Sequence, residues 1–158
     1  EVADEVAAVA WPNCAAIAAA IASGVAHGLG LGHNTRAALL TRGLAEISRL
    51  AVHRGANPLT LSGLAGMGDL VLTCTGELSR NRSVGMRIGR GERLADILRD
   101  MDQVAEGVRT TQSAYQLALR EEVDMPITTE VYRILYENKP GAIAVAELMG
   151  REPKRERA

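Results

Sequence analysis

The sequence predicts an all-α protein, and three observations carry that expectation. Hydrophobic residues make up 47% of the chain, yet aromatics are only 3% and Phe is absent, so Ala, Leu, Ile, Val and Met must fill the core. Several of these are strong helix formers, whereas sheets favour aromatic and β-branched side chains. Between Thr35 and Arg54, apolar residues recur at Leu40, Leu44, Ile47 and Leu50–Ala51, the three- and four-residue spacing of one helix face. No convincing strand longer than a few residues stands against them.

The elements follow in order. Residues 2–11 predict a helix that stops or kinks at Pro12, because the proline ring blocks the preceding turn. Asn13 is then expected as an N-cap, with a buried Ala/Ile helix over 13–27. This Ala-rich stretch is interrupted by Pro12, Asn13, Ser23 and Gly24 and reads as a buried helix rather than a membrane span. Gly28, Gly30 and Gly32 break the pattern and Asn34 is expected to cap the next helix, which Gly55 ends. A short helix near 58–65, a turn at Gly66–Met67–Gly68 and a helical segment from Asp69 through Thr75 come next. Ser79 opens a helix to about Ile88, followed by helices over 92–101 and 110–122. Pro126, tolerated in a first turn, starts a helix to about Asn138, and Pro140 opens a last one to Met149. Residues 151–157 read as a solvated tail.

The bulk numbers exclude several classes. A net charge of −1 asks for neither nucleic acid nor an anionic membrane. Cys14 and Cys74 lie far apart with no Cys/His cluster, so no metal site and no disulfide framework are expected, and a reducing cytoplasm is the default. The acidic start shows no signal peptide, and without an initiating Met the chain is expected to be cropped or processed. The alternating glycines at 28, 30 and 32 lack the preceding strand and the spacing of a dinucleotide-binding fingerprint.

Residues 63–91 carry the chemistry. Asp69 follows the Gly66/Gly68 turn at the start of a helical segment, where free N–H groups stabilise a carboxylate; locally it is either a cap or a ligand. Thr73 lies four residues on, on the same face, and a carboxylate with a hydroxyl in one pocket could orient a polyol. Ser79-Arg80-Asn81-Arg82 is either a capped, solvated helix start or an anion site in which N–H donors and a planar guanidinium grip phosphate oxygens.

This stretch resembles the signature of glycerol-3-phosphate dehydrogenases of the bacterial type. The neighbours agree with it: residues 28–34 (GLGLGHN), 36–46 (RAALLTRGLAE), 106–111 (EGVRTT), 125–129 (MPITT), 131–136 (VYRILY) and 146–150 (AELMG). The likeness runs from about residue 24 to 153. It implies the all-α C-terminal, substrate-binding half of such an enzyme, a multi-helix bundle like those of 6-phosphogluconate dehydrogenase-like proteins. One domain over 1–153, atypical over 1–23, is expected, with a tail at 154–158 and no nucleotide-binding domain.

The resemblance further implies site residues. Asp69 would contact the substrate and Thr73 would line the same pocket. Ser79, Arg80 and Asn81 would bind glycerol 3-phosphate or dihydroxyacetone phosphate, with Arg80, Val104 and Glu106 touching NAD or NADP. The family's proton donor is a lysine, but the sequence has Pro12 at that place by local motif and Ala16 by ungapped alignment, and its first lysine is Lys139. Arginine is a poor substitute, because it holds its proton too tightly near neutral pH. The expectation is a domain excised or rebuilt over residues 1–23, inactive and free of cofactor by itself, whose candidate partners are a nucleotide-binding domain and a second copy of itself. The competing expectation is a non-catalytic helical scaffold or self-association module derived from that domain.

Overall fold

The computed structural model describes residues 2–151, with the side chains of residues 2–12, 65, 102 and 105 left aside. The expected tail beyond Arg151 lies outside the described residues. Those residues form α1 (Val2–Gly28), α2 (His33–His53), α3 (Pro58–Leu61), α4 (Asp69–Thr75), α5 (Arg80–Gly89), α6 (Leu94–Asp100), α7 (Ala105–Arg120), α8 (Pro126–Tyr136) and α9 (Gly141–Gly150). A π-helical turn, Leu64–Gly68, precedes α4 and a 3-10 turn, Asp102–Val104, precedes α7. The all-α expectation holds, and no strand occurs among the described residues.

α1 is the axis of the bundle: α2, α4, α5, α7, α8 and α9 all pack against it. Ala18, Ile21, Ala22 and Val25 face a core shared with Val84 of α5, Val108 of α7, Val131 of α8 and Val145 of α9. Ala15, Ala16, Ala19 and Ala20 face a second core, with Ile47 and Leu50 of α2, Leu70 and Cys74 of α4, and Leu117 of α7. A helix apolar all round has to be buried all round, and small Ala side chains let six neighbours approach it.

α1 and α5 run parallel in unusually close contact. A Cβ on Gly24 would collide with the Arg82 carbonyl, one on Gly28 with that of Met86, one on Gly85 with that of Ile21, and one on Gly89 with that of Val25. Two glycine pairs at i, i+4 thus set the backbones face to face. The second helix of the pair is the one that Ser79 opens.

Several boundaries depart from the sequence reading. α1 continues through Pro12, so neither the stop at Pro12 nor an N-cap at Asn13 is found. Proline removes one helical hydrogen bond, at about 3 kcal/mol with its ring clash, and the extensive burial of residues 15–26 offsets it. Asn34 is not the cap of α2: Gly32 takes that place in an extended conformation, and Asn34 is the second helical residue. The Gly66–Gly68 turn is π-helical, and the helix expected over 58–65 shortens to Pro58–Leu61. α7 begins five residues before the expected Thr110, running through Gly107. Gly55, with φ +87°, follows the end of α2 as expected.

Candidate functional site

Asp69 is the first residue of α4, and Gly68 rather than Asp69 holds the cap position. The side chain is exposed and, among the described residues, makes no hydrogen bond or ion pair. The capping role open to Asp69 in the sequence is therefore not found. Thr73 is half-buried one turn on. The close packing under this turn depends on Gly66, where a Cβ would strike the Leu61 backbone.

α4 is tied to α1 by Ser23, whose buried hydroxyl donates to the Cys74 carbonyl at 2.9 Å. Gly24, the next residue, receives the Arg82 carbonyl of α5. Two adjacent residues of α1 therefore hold the end of α4 and the start of α5, and the Asp69–Thr73 and Ser79–Asn81 stretches are anchored to the same turn of α1. Burial raises the Cys74 thiol to about 12, with a contribution from the Asp69 charge, so this cysteine is an inert packing group.

Ser79 caps α5: its hydroxyl oxygen accepts from Arg82 N–H at 3.3 Å. The capped-start reading is thus correct for Ser79, whose O–H remains a donor. Arg80 is exposed and, among the described residues, has no hydrogen-bond or ion-pair partner. Asn81 is half-buried with its amide set against Gly107, where a Cβ would collide with Asn81 Oδ1. Arg82 behaves differently from its neighbours: it is 7% exposed, and its Nη2 lies 3.4 Å from His27 Nδ1.

The Asn81–Gly107 contact places the start of α5 beside the start of α7. Glu106 is exposed there, in the first turn of α7. Val104 is not: the whole residue is 2% exposed, buried within the core. α7 is held to α8 by stacked Tyr115, Tyr132 and Tyr136, the last donating to the Val108 carbonyl at 3.1 Å. Among the described residues, no group of three His, Cys, Asp or Glu side chains could hold a metal. No described helix is long and apolar enough to cross a membrane.

Ala16 is buried in the core cluster that also contains Leu70 and Cys74 of α4. The ungapped lysine position therefore belongs to the same packed unit as the helix that Asp69 opens. Pro12 lies a turn earlier on α1.

The sequence reading missed Glu46. This α2 carboxylate is fully buried and accepts from Ile127 N–H at 2.7 Å, Thr128 N–H at 2.8 Å and Thr128 Oγ1 at 2.6 Å, capping α8. The available signal was a carboxylate on an apolar stripe, flanked by Leu39, Gly43, Ile47 and Leu50.

Residues 10–146 match the family described as NAD-dependent glycerol-3-phosphate dehydrogenase C-terminus. The glycerol-3-phosphate dehydrogenase [NAD(P)+] of Geobacter metallireducens is 65% identical over 138 residues, 87% of this chain and 41% of the relative. That of Myxococcus xanthus is 65% identical over 139 residues, 88% of this chain and 42% of the relative. Among solved structures, glycerol-3-phosphate dehydrogenase from Coxiella burnetii superposes with a TM-score of 0.88 at 43% identity, covering 91% of this chain and 44% of that one. The chain thus spans about two-fifths of the length of these relatives.

Proposed function

The chain belongs to the NAD-dependent glycerol-3-phosphate dehydrogenase C-terminal family, and we propose that it supplies the substrate site of such an enzyme. In this reading Asp69 and Thr73 orient the hydroxyl-bearing carbons of glycerol 3-phosphate or dihydroxyacetone phosphate. Arg80, Asn81 and the N–H groups that open α5 hold the phosphate. The observation that carries it is the anchoring of both stretches to Ser23 and Gly24, with Asp69 and Arg80 left without protein partners among the described residues.

NAD or NADP would supply hydride to the carbonyl carbon. The exposed Arg80 and Glu106 suit contact with the edge of such a cofactor, whereas Val104 is buried and would have to become exposed to touch it. This chain's own part is to bind, orient and carry compensating charge at the phosphate. No lysine stands at Pro12 or Ala16 to protonate the substrate oxygen, and we expect no dehydrogenase activity from the chain by itself.

Leu64, Leu72 and Leu78 are strongly exposed around Asp69 and Thr73, a concentration of apolar surface that suits a protein partner. We assign this face to a nucleotide-binding portion such as the relatives' remaining length could provide, in a cytoplasmic enzyme. The same surface supports a second reading, a self-associating scaffold or homodimer.

Calorimetric titration with sn-glycerol 3-phosphate tests the proposal. Saturable binding that Arg80→Ala weakens by tenfold or more supports a surviving substrate site. Absence of binding both alone and with an added nucleotide-binding domain would leave the scaffold reading.

A further inference from the structure

Cations gather at the end of the bundle where α1 and α5 stop and α2 starts, away from Asp69 and Asn81. Gly30 N–H donates to the His27 carbonyl at 2.9 Å and Leu31 N–H to that of Ala26 at 3.0 Å, so the last turn of α1 folds directly against the start of α2. α5 ends at the same level, because its Gly89 is seated on Gly28. His27, His33, Arg36 and Arg90 therefore share one pole, about 15 Å along α5 from Arg80 at 1.5 Å per residue.

Arg82 reaches this pole from the first turn of α5. Arg82 is more than nine-tenths buried, its guanidinium lies beside His27 Nδ1, and its Nε has no hydrogen-bond partner among the described residues. Arg36 Nη2 lies 2.6 Å from His33 Nδ1. In both pairings the arginine donates and the imidazole Nδ1 accepts. His27 is held below the usual histidine range by burial first, then by the charges of Arg82, Arg36 and Arg90. Glu92 is near enough to act on Arg90, and it shares Arg87 with Asp100, at 2.7 and 2.6 Å.

The helix ends do not cancel this charge. α1 and α5 each bring about half a negative charge, α2 about half a positive one and Arg87 with Glu92 and Asp100 one net negative charge, against three guanidinium groups, leaving roughly +1.5. α2 runs for 21 residues, its Gly32 cap offers no side chain and its first turn has no acid. The N–H groups of His33, Asn34 and Thr35 precede the first helical bond, Arg36 N–H to the Gly32 carbonyl, and point out of the helix.

We propose that this pole binds a phosphate-bearing anion at a site separate from Ser79–Asn81, with Arg82 as the link between the two. The Arg82 N–H is held by Ser79 Oγ while its guanidinium lies at the pole. An anion that draws the guanidinium pulls on the residue next to Asn81, so occupancy of the pole adjusts the substrate site.

The test is NMR titration of the 158-residue chain with inorganic phosphate and, separately, sn-glycerol 3-phosphate, following the His27 and His33 ring resonances at constant ionic strength. Saturable shifts are expected. The double variant Arg36→Ala/Arg90→Ala should weaken them at least tenfold, and Arg80→Ala should change them less than twofold. Saturation by only one of the two probes supports the site and identifies its ligand as the free ion or the ester. Shifts reproduced by chloride, or lost in Arg80→Ala but retained in the double variant, would overturn the proposal. Glycerol 3-phosphate binding that is Arg80-dependent and silent at both histidines would overturn it too, while sparing the substrate-site reading.

Discussion

Glu46 Oε1 accepts both the backbone N–H and the hydroxyl of Thr128, 82 residues away, so that a side chain of α2 is the N-terminal cap of α8. Its other oxygen takes Ile127 N–H. Charge-assisted bonds to a helix N-terminus are among the stronger hydrogen bonds available, and none of these is exposed to water.

Glu46→Gln should therefore lower stability by about 2–3 kcal/mol, because an amide has one acceptor oxygen for three donors and buries an unmatched NH₂. Urea denaturation at neutral pH checks this. A loss under about 0.5 kcal/mol would mean that the cap is energetically idle.

The same residue sets a pH dependence. Burial raises the Glu46 carboxyl above its ordinary value, and the Thr128 and Ile127 donors oppose the shift. Between the unfolded and the raised folded value the native chain holds a proton that the unfolded chain has released. The Glu46 contribution is thus fully present below the unfolded value and declines as pH rises through the folded one. Urea midpoints measured across this window should fall with pH in the wild-type chain relative to Glu46→Gln. An unchanged difference between the two would contradict the assigned direction.

Gly85→Ala should be far more damaging than Gly30→Ala. A Cβ at Gly85 meets the Ile21 carbonyl and the Val25 nitrogen, both backbone, so α1 and α5 must part. That separation opens the core around Val25 and Val84, at about 3 kcal/mol or more. Gly30 has φ +76° but nothing near its Cβ position, so alanine there costs only about 1 kcal/mol of backbone strain. Thermal melts of both variants rank the two effects.

Gly107→Ala separates site from stability. The atoms nearest its Cβ position all belong to the Asn81 side chain, so an added methyl group displaces that side chain rather than backbone. Stability should fall by only about 1 kcal/mol. Affinity for sn-glycerol 3-phosphate should drop by about tenfold, the loss of roughly one hydrogen bond to a charged ligand. Calorimetry paired with a melt decides, and a large stability loss with unchanged affinity would remove Asn81 from the site.

Cys74, with its thiol at about 12 and 1% exposed, should resist alkylation in the folded chain at pH 8 and react only on unfolding. Ser23→Ala removes the bond that holds α4 at this point and should speed the reaction several-fold by easing local opening. Mass spectrometry of iodoacetamide-treated protein reads both.

What the sequence determined by itself was local. Period, punctuation and capping chemistry act within a turn or two, which is why the cap at Ser79, the proline start of α8 and the Gly55 stop were legible, and why the motif from Gly63 to Gly91 identified the family. Where local signals misled, a distant contact had decided. Pro12 reads as a break until most of residues 15–26 are seen buried, and the start of α7 reads as Thr110 until the helix is seen to begin at Ala105 and to pass Asn81 at Gly107. The burial of Val104, the turning of Arg82 away from Arg80 towards His27, and the capping of α8 by Glu46 were decided by tertiary structure alone. A helix face shows in sequence which side chains want to be buried, but the partner that a buried charge finds depends on which helices cross, and here two pairs of glycines set that crossing.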